Sequence, residues 1–207
     1  MARTHKYASP PSLTSLGLLD PRADGKRLSG DALPRMDKFR FQLFAEWIVQ
    51  TFPRCRVADV GGGKGMLAYL LQRAGFESVV IDPISQELPE KYKDLRTGKR
   101  IMIPRSEKVP RLSQSFDPIM TKDFDLLVAM HAHGSNVNII DSSASAGTNF
   151  AILPCCVIDE PIIPKDSKSW FELLSTHAQE RGHSVGYFHL NFRGQNVGIY
   201  SRVSRTR

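Results

Sequence analysis

The stretch that most constrains this chain is RVADVGGGKGMLAYLLQRAGFESVVIDP, residues 56–83. Val57, Ala58 and Val60 make a short apolar run of the kind that forms a buried strand, and it stops at a cluster of glycines. Leu67, Leu70, Leu71 and Ala74 then recur at helical spacing, with Gly75 where a helix end favours positive φ. Residues 78–81 give a second apolar strand, ending at Asp82. Strand, glycine turn, helix and strand in this order make one half of a doubly wound α/β sheet.

The turn carries the chemistry. Asp59, Gly61, Gly63 and Gly65 follow an acidic-x-Gly-x-Gly-x-Gly pattern, with Gly62 filling the run. Glycines let the main chain turn sharply and let a ligand lie against it without meeting a Cβ. The helix that follows offers free N–H groups to a carboxylate or phosphate. Asp82, followed by Pro83, stands where a carboxylate accepts hydrogen bonds from a ribose diol. Gly63, Gly65 and Ala68 also satisfy the G-x-G-x-x-G/A pattern of a NAD loop. The carboxylate two residues before the first glycine favours a cationic ligand over NAD.

With Asp59, the glycines and Asp82 in register, the stretch resembles motifs I and II of the class I S-adenosylmethionine (SAM) methyltransferases. The resemblance implies SAM as cofactor, with Asp59, Gly61, Gly62, Gly63 and Gly65 beside its methionine part. It places Asp82 and Pro83 at the ribose. It also implies an α/β, Rossmann-like, doubly wound seven-stranded sheet with a C-terminal antiparallel hairpin.

The rest of the chain is read around this unit. Residues 1–33 are rich in Ser, Pro, Arg and Gly and form a basic, partly disordered arm. Residues 34–207 form one domain. Met36, Phe39, Leu43, Phe44, Trp47 and Ile48 give an amphipathic helix that opens at Pro34. Residues 85–96 read as a helix interrupted by Pro89, residues 100–103 as the third strand, and residues 104–122 as a long loop near the adenine side. Residues 125–130 (DLLVAM) make a buried strand, 137–146 a helix closed by Gly147, and 150–153 the fifth strand. Ser169 and Glu172 form a capping box for a helix through Arg181, stopped by Gly182. Residues 185–192 and 197–203 flank a turn and make the hairpin.

Ligands of doubly wound sheets sit outside the carboxyl ends of the strands. Those ends deliver His131, Ala132, His133 and Gly134 after the fourth strand, and Pro154, Cys155 and Cys156 after the fifth. The H-A-x-G and P-C-C pair resembles the subgroup that includes the tRNA acceptor-stem 2′-O-methyltransferases. Those proteins usually carry Cys at the position of His133 and have a Cys/His-rich zinc finger that this chain lacks. The resemblance implies RNA modification. The residue types themselves make His131, His133, Cys155 and Cys156 catalytic candidates, with His131 also expected beside the cofactor.

Several roles are open to that cluster. One His is a general base, His131 being expected nearer the methyl group because it follows the strand directly. One thiol attacks a pyrimidine, the set holds zinc, or the cysteines simply pack as small apolar side chains while a His caps the pocket. The net charge of +7 favours an acidic partner, with RNA the first candidate and a small-molecule acceptor the alternative. A catalytically idle, SAM-binding RNA-binding subunit is a third possibility. Three cysteines, two of them adjacent, argue against a disulfide framework. No apolar run reaches the roughly 20 residues of a membrane span, and no secretory leader is evident, so a cytoplasmic location is expected.

Overall fold

The computed structural model describes residues 19–20, 39–164, 169–192 and 194–202. The remainder of the basic arm, residues 34–38 at the start of the expected first helix, residues 165–168, Arg193 of the hairpin turn and residues 203–207 lie outside the described residues.

Five parallel strands form the centre of the main sheet. They are β2 (Arg56–Val60), β3 (Glu77–Ile81), β6 (Arg111–Leu112), β7 (Leu126–Met130) and β8 (Asn149–Leu153). The hairpin of β9 (Val185–Leu190) and β10 (Val197–Ser201) completes seven strands in the order β6-β3-β2-β7-β8-β10-β9. Strand β10 runs antiparallel to both its neighbours. Two residues of the arm, β1 (Leu19–Asp20), add to the outer edge of β9.

Alternation along the strands decides the layers. In β7, Leu126, Val128 and Met130 join the core under helices α1 (Arg40–Thr51) and α2 (Met66–Arg73). Leu127 and Ala129 join the opposite core, under α3 (Asn136–Ala146) and α4 (Trp170–Glu180). All five residues of β7 are buried, as a central strand covered on both faces requires. Helix α1 lays its apolar stripe on β9, where the Trp47 and Phe188 rings stack at 3.9 Å between centroids. Gly198 is needed in β10 because the Phe188 ring occupies the space of its Cβ. Phe39, Phe188 and Phe192 are core residues.

Helix ends follow the sequence signals. Gly75, Gly147 and Gly182 take positive φ after α2, α3 and α4. Ser169 and Glu172 make the reciprocal capping box. None of the described helices is long and apolar enough to cross a membrane.

The segment between β3 and β7 departs from expectation. Residues 85–96 are not helical. Strand β4 (Lys91–Lys93) pairs with β5 (Arg100–Met102) as a separate antiparallel ribbon. Pro89 denies a helix its N–H, while Asp94 accepts from the amide and hydroxyl of Thr97 and Gly98 takes a φ of 66°, closing a turn. Residues 100–103 are therefore not the third sheet strand. That place belongs to β6, within the expected loop, where Val80 donates to Pro110 O and Asp82 to Leu112 O. A 3-10 helix, Pro118–Asp123, also lies there, capped by the Asp117 side chain.

Candidate functional site

Strand β2 lies between β3 and β7, the point at which the chain reverses its direction of travel across the sheet. The carboxyl ends of β2 and β3 carry Gly61 and Asp82, so the glycine loop sits in the crevice at the switch point.

Each acidic residue has a defined task. Asp82 is buried, and one of its oxygens accepts from the Gly63 amide at 2.9 Å while the other accepts from the Ile84 amide at 2.8 Å. Asp59 is buried beneath the loop and accepts from the Ala68 amide at 3.2 Å. Helix α2 begins after Gly65, which has no side chain to cap it, so Asp59 caps its first turn from the preceding strand. Burial pushes the Asp59 carboxyl up to about 7; Asp82 adds to the rise, whereas the Ala68 amide and the Arg111 guanidinium oppose it.

The glycines divide by purpose. A Cβ on Gly61 would come within 2.6 Å of the Ala132 Cβ, and one on Gly62 within 2.5 Å of Asp59 Oδ2. These two are glycine because the protein packs against itself there. Gly63 has a φ of 53° and only the Gln86 amide, at 3.9 Å, near its missing Cβ. Its open side lines a cleft of about 480 Å³ together with Asp59, Gly61, Gly62, Met66 and Met130. Gly65, with a φ of 79°, closes the loop against Val80.

The opposite wall comes from two elements. The β4–β5 ribbon contributes Lys91, Tyr92 and Lys93 to the cleft, and α1 contributes Arg40 and Phe41. Gln42 of α1 fixes the ribbon, donating to Lys93 O and accepting from the Leu95 amide, both at 2.8 Å. Arg111 of β6 donates to Gly63 O at 2.6 Å and to Ile84 O at 3.4 Å, strapping the glycine loop to the segment after Asp82. A lone arginine among prolines gives no hint of that role. Pro83 follows Asp82 at the rim and is exposed.

The second cluster is split by the structure. His131 takes a φ of 56°, a left-handed conformation that non-glycine residues adopt at a cost of about 1–3 kcal/mol. It is held there by its amide, which donates to Leu153 O at 2.9 Å, and by its Nε2, 3.0 Å from Gln195 O. Since a carbonyl only accepts, that contact places the proton on Nε2 and leaves Nδ1 as the lone-pair nitrogen. Burial lowers the pKa of the ring; Arg40 and His133 add to the lowering, and the Gln195 carbonyl opposes it.

His133 is exposed and turns instead toward the cysteines. A ring nitrogen of His133 and the sulfurs of Cys155 and Cys156 all lie within 4.8 Å of one another. The two sulfurs are 3.4 Å apart. Burial pushes the Cys155 thiol up to about 11, with the Cys156 thiol adding to the rise, so it is not a ready thiolate nucleophile. Cys155 also lines a cavity of about 360 Å³ with Pro154, Trp170, Phe171, Gln195 and Val197.

No protein-family model and no curated protein sequence matches this chain. Solved structures are similar to it in fold. An O-methyltransferase family protein from Burkholderia thailandensis aligns with a TM-score of 0.50 at 13% identity, over 86% of this chain and 59% of that one. A SAM-dependent methyltransferase from Agrobacterium tumefaciens aligns with a TM-score of 0.52 at 8% identity, over 80% of this chain and 62% of that one. This chain thus spans about three fifths of the length of either. At such identities the likeness establishes the fold, the Rossmann-like α/β fold of the methyltransferases.

Proposed function

We propose that the chain is a SAM-dependent methyltransferase that methylates an oxygen or nitrogen of RNA. The observation that carries the cofactor assignment is the Asp82 carboxylate, held in register with the open side of Gly63 at the switch point of a methyltransferase fold. Each Asp82 oxygen accepts one amide and retains lone-pair capacity for a ribose hydroxyl. Asp59 lines the cleft beside Gly63 and offers a carboxylate to a cationic ligand.

SAM supplies an electrophilic methyl on a sulfonium and leaves as S-adenosylhomocysteine. The chain's contribution is to align the acceptor with that methyl and to exclude water. His131, neutral through burial and bearing its proton on Nε2, presents Nδ1 as the atom that takes the acceptor's proton.

RNA is favoured by the net charge of +7 and by the cations of the cleft wall, Arg40, Lys64, Lys91 and Lys93. A small-molecule acceptor is the second reading, favoured by the cavity between Pro154, Trp170 and Phe171. Incubation with methyl-labelled SAM and separate RNA, protein and metabolite fractions decides between them. Label in RNA supports the proposal, label in metabolites supports the second reading, and SAM binding without transfer means an idle binding subunit.

A further inference from the structure

We propose that His133, Cys155 and Cys156 form a three-ligand zinc site beside the cofactor cleft, with one coordination position open. The ligand types are those zinc takes, two thiolates and an imidazole, and a set of three protein ligands is the pattern of catalytic rather than structural zinc. Zinc–sulfur and zinc–nitrogen bonds of about 2.3 and 2.0 Å place tetrahedral ligand atoms roughly 3.5–3.8 Å apart. The two sulfurs already lie 3.4 Å apart, and all three ligand atoms lie within 4.8 Å. Closing the remainder needs about 1 Å of side-chain movement, which the exposed His133 is free to make.

Hydrogen bonds tie the two loops that carry these residues to each other, and a site that binds an ion tightly needs such support. Before His133, the His131 amide donates to Leu153 O; after it, the Gly134 amide donates to Ile158 O at 2.9 Å. The two ligand loops are thus stitched together on both flanks. Gly134 takes a φ of 66°, and a Cβ there would come within 3.0 Å of Asp159. Beyond the cysteines, Glu160 accepts from the amides of Asn136 and Val137 at 2.9 and 3.1 Å and from the Asn136 side chain at 2.6 Å. That carboxylate caps α3 and ties the cysteine loop to the loop bearing His133.

The position gives the ion a use. Ala132, the residue before His133, packs into the hollow left by Gly61 of the cofactor loop. Cys155 lines the 360 Å³ cavity. An ion held by these residues would adjoin the cavity that Cys155 lines, where it would supply a Lewis acid to an acceptor oxygen and ease loss of its proton. That role rests on the methyltransferase reading; the metal site itself does not. Binding converts two thiols to thiolates and releases their two protons, with no change of oxidation state.

The test uses the whole 207-residue chain, stripped with a chelator, given zinc alone, desalted and analysed by elemental mass spectrometry. About one zinc per chain is expected for the natural sequence, and less than about a tenth of that for His133→Ala and for Cys155→Ser/Cys156→Ser. Cys55→Ser serves as control, since Cys55 precedes β2 at the far end of the strands. Cadmium in place of zinc should give a thiolate-to-metal ultraviolet band in the natural protein and not in the double variant. Circular dichroism and SAM calorimetry accompany each sample. Should the double variant not fold, His133→Ala and the cadmium band carry the test. A folded natural protein that retains no zinc, or a double variant that retains it fully, overturns the site. Loss of SAM binding with zinc retained faults the methyltransferase reading and leaves the site standing.

Discussion

Asp82 and Gly63 are 19 positions apart in sequence and joined by a 2.9 Å hydrogen bond from the Gly63 amide to Asp82 Oδ2. The carboxylate proposed for the cofactor ribose therefore also shapes the loop proposed to receive the cofactor. Asp82→Ala removes both functions. Calorimetry should show SAM affinity falling by at least about a hundredfold, from two lost charge-assisted hydrogen bonds of about 1.5–3 kcal/mol each. The circular dichroism spectrum should stay that of the folded protein. Undiminished SAM binding by this variant would sink the cofactor assignment.

Gly62 and Gly63 separate fold from function. Gly63→Ala puts a methyl group into open cleft, at a backbone cost of about 1–2 kcal/mol for its φ of 53°. The protein should fold with a modestly lowered melting temperature and lose SAM binding. Gly62→Ala drives its Cβ into the Asp59 carboxylate, which caps α2, and should lower thermal stability more. The opposite ranking, with Gly63→Ala binding SAM normally, would mean that the ligand does not lie along this face of the loop.

The core unit was legible because its signals are local. Residues 56–83 contain strand, turn, helix and strand with their own stops, and the structure reproduces them as β2, α2 and β3 within a residue or two. The segment after Asp82 was not, because β6 is two residues long and becomes a strand only by pairing with Val80 and Ile81. Its Arg111 acquires its place beside Gly63 through that pairing, which nothing near it in sequence announces. His131 and His133 show the same limit at the site. Their spacing marks both as pocket residues, yet the positive φ of His131 sends one toward Gln195 and the other toward the cysteines.

Asp59 makes both stability and binding depend on pH. Its carboxyl rises from 3.8 to about 7 on folding, so the folded state holds a proton that the unfolded state has released between those values. The resulting stabilisation is complete below about pH 3.8 and disappears as pH rises through about 7, an order-of-magnitude total of about 4 kcal/mol. Denaturation of Asp59→Asn should lack this component, so the gap between variant and natural protein should change across that window. Binding runs the other way. A cationic ligand needs the carboxylate, so SAM affinity should rise as pH climbs to about 7 and then level off. A flat calorimetric profile in the natural protein, or one unchanged in Asp59→Asn, would remove Asp59 from the ligand's charge partners.

RNA recognition has a measurable electrostatic signature. Lys64, Lys91 and Lys93 line the cleft with Arg40, and Asp59 is the one carboxylate among the residues of that wall. A single strand laid across it would release counterions, with a log–log salt slope of about −0.7 for each phosphate neutralised. Lys91→Ala/Lys93→Ala should therefore weaken RNA binding at low salt and make the slope shallower by up to about 1.4 if each lysine meets one phosphate. Deleting the first 30 or so residues, which carry Arg3, Lys6, Arg22, Lys26 and Arg27, should flatten the slope further while SAM affinity changes little. The two deletions of charge are expected to act additively, because the arm cations and the ribbon lysines would meet different phosphates. For a small acceptor in the cavity beside Trp170, turnover should hardly respond to salt. Binding isotherms of total RNA across a salt series, run on the full chain and both variants, distinguish these outcomes. If the full chain neither binds RNA at low salt nor methylates it, RNA is not the substrate.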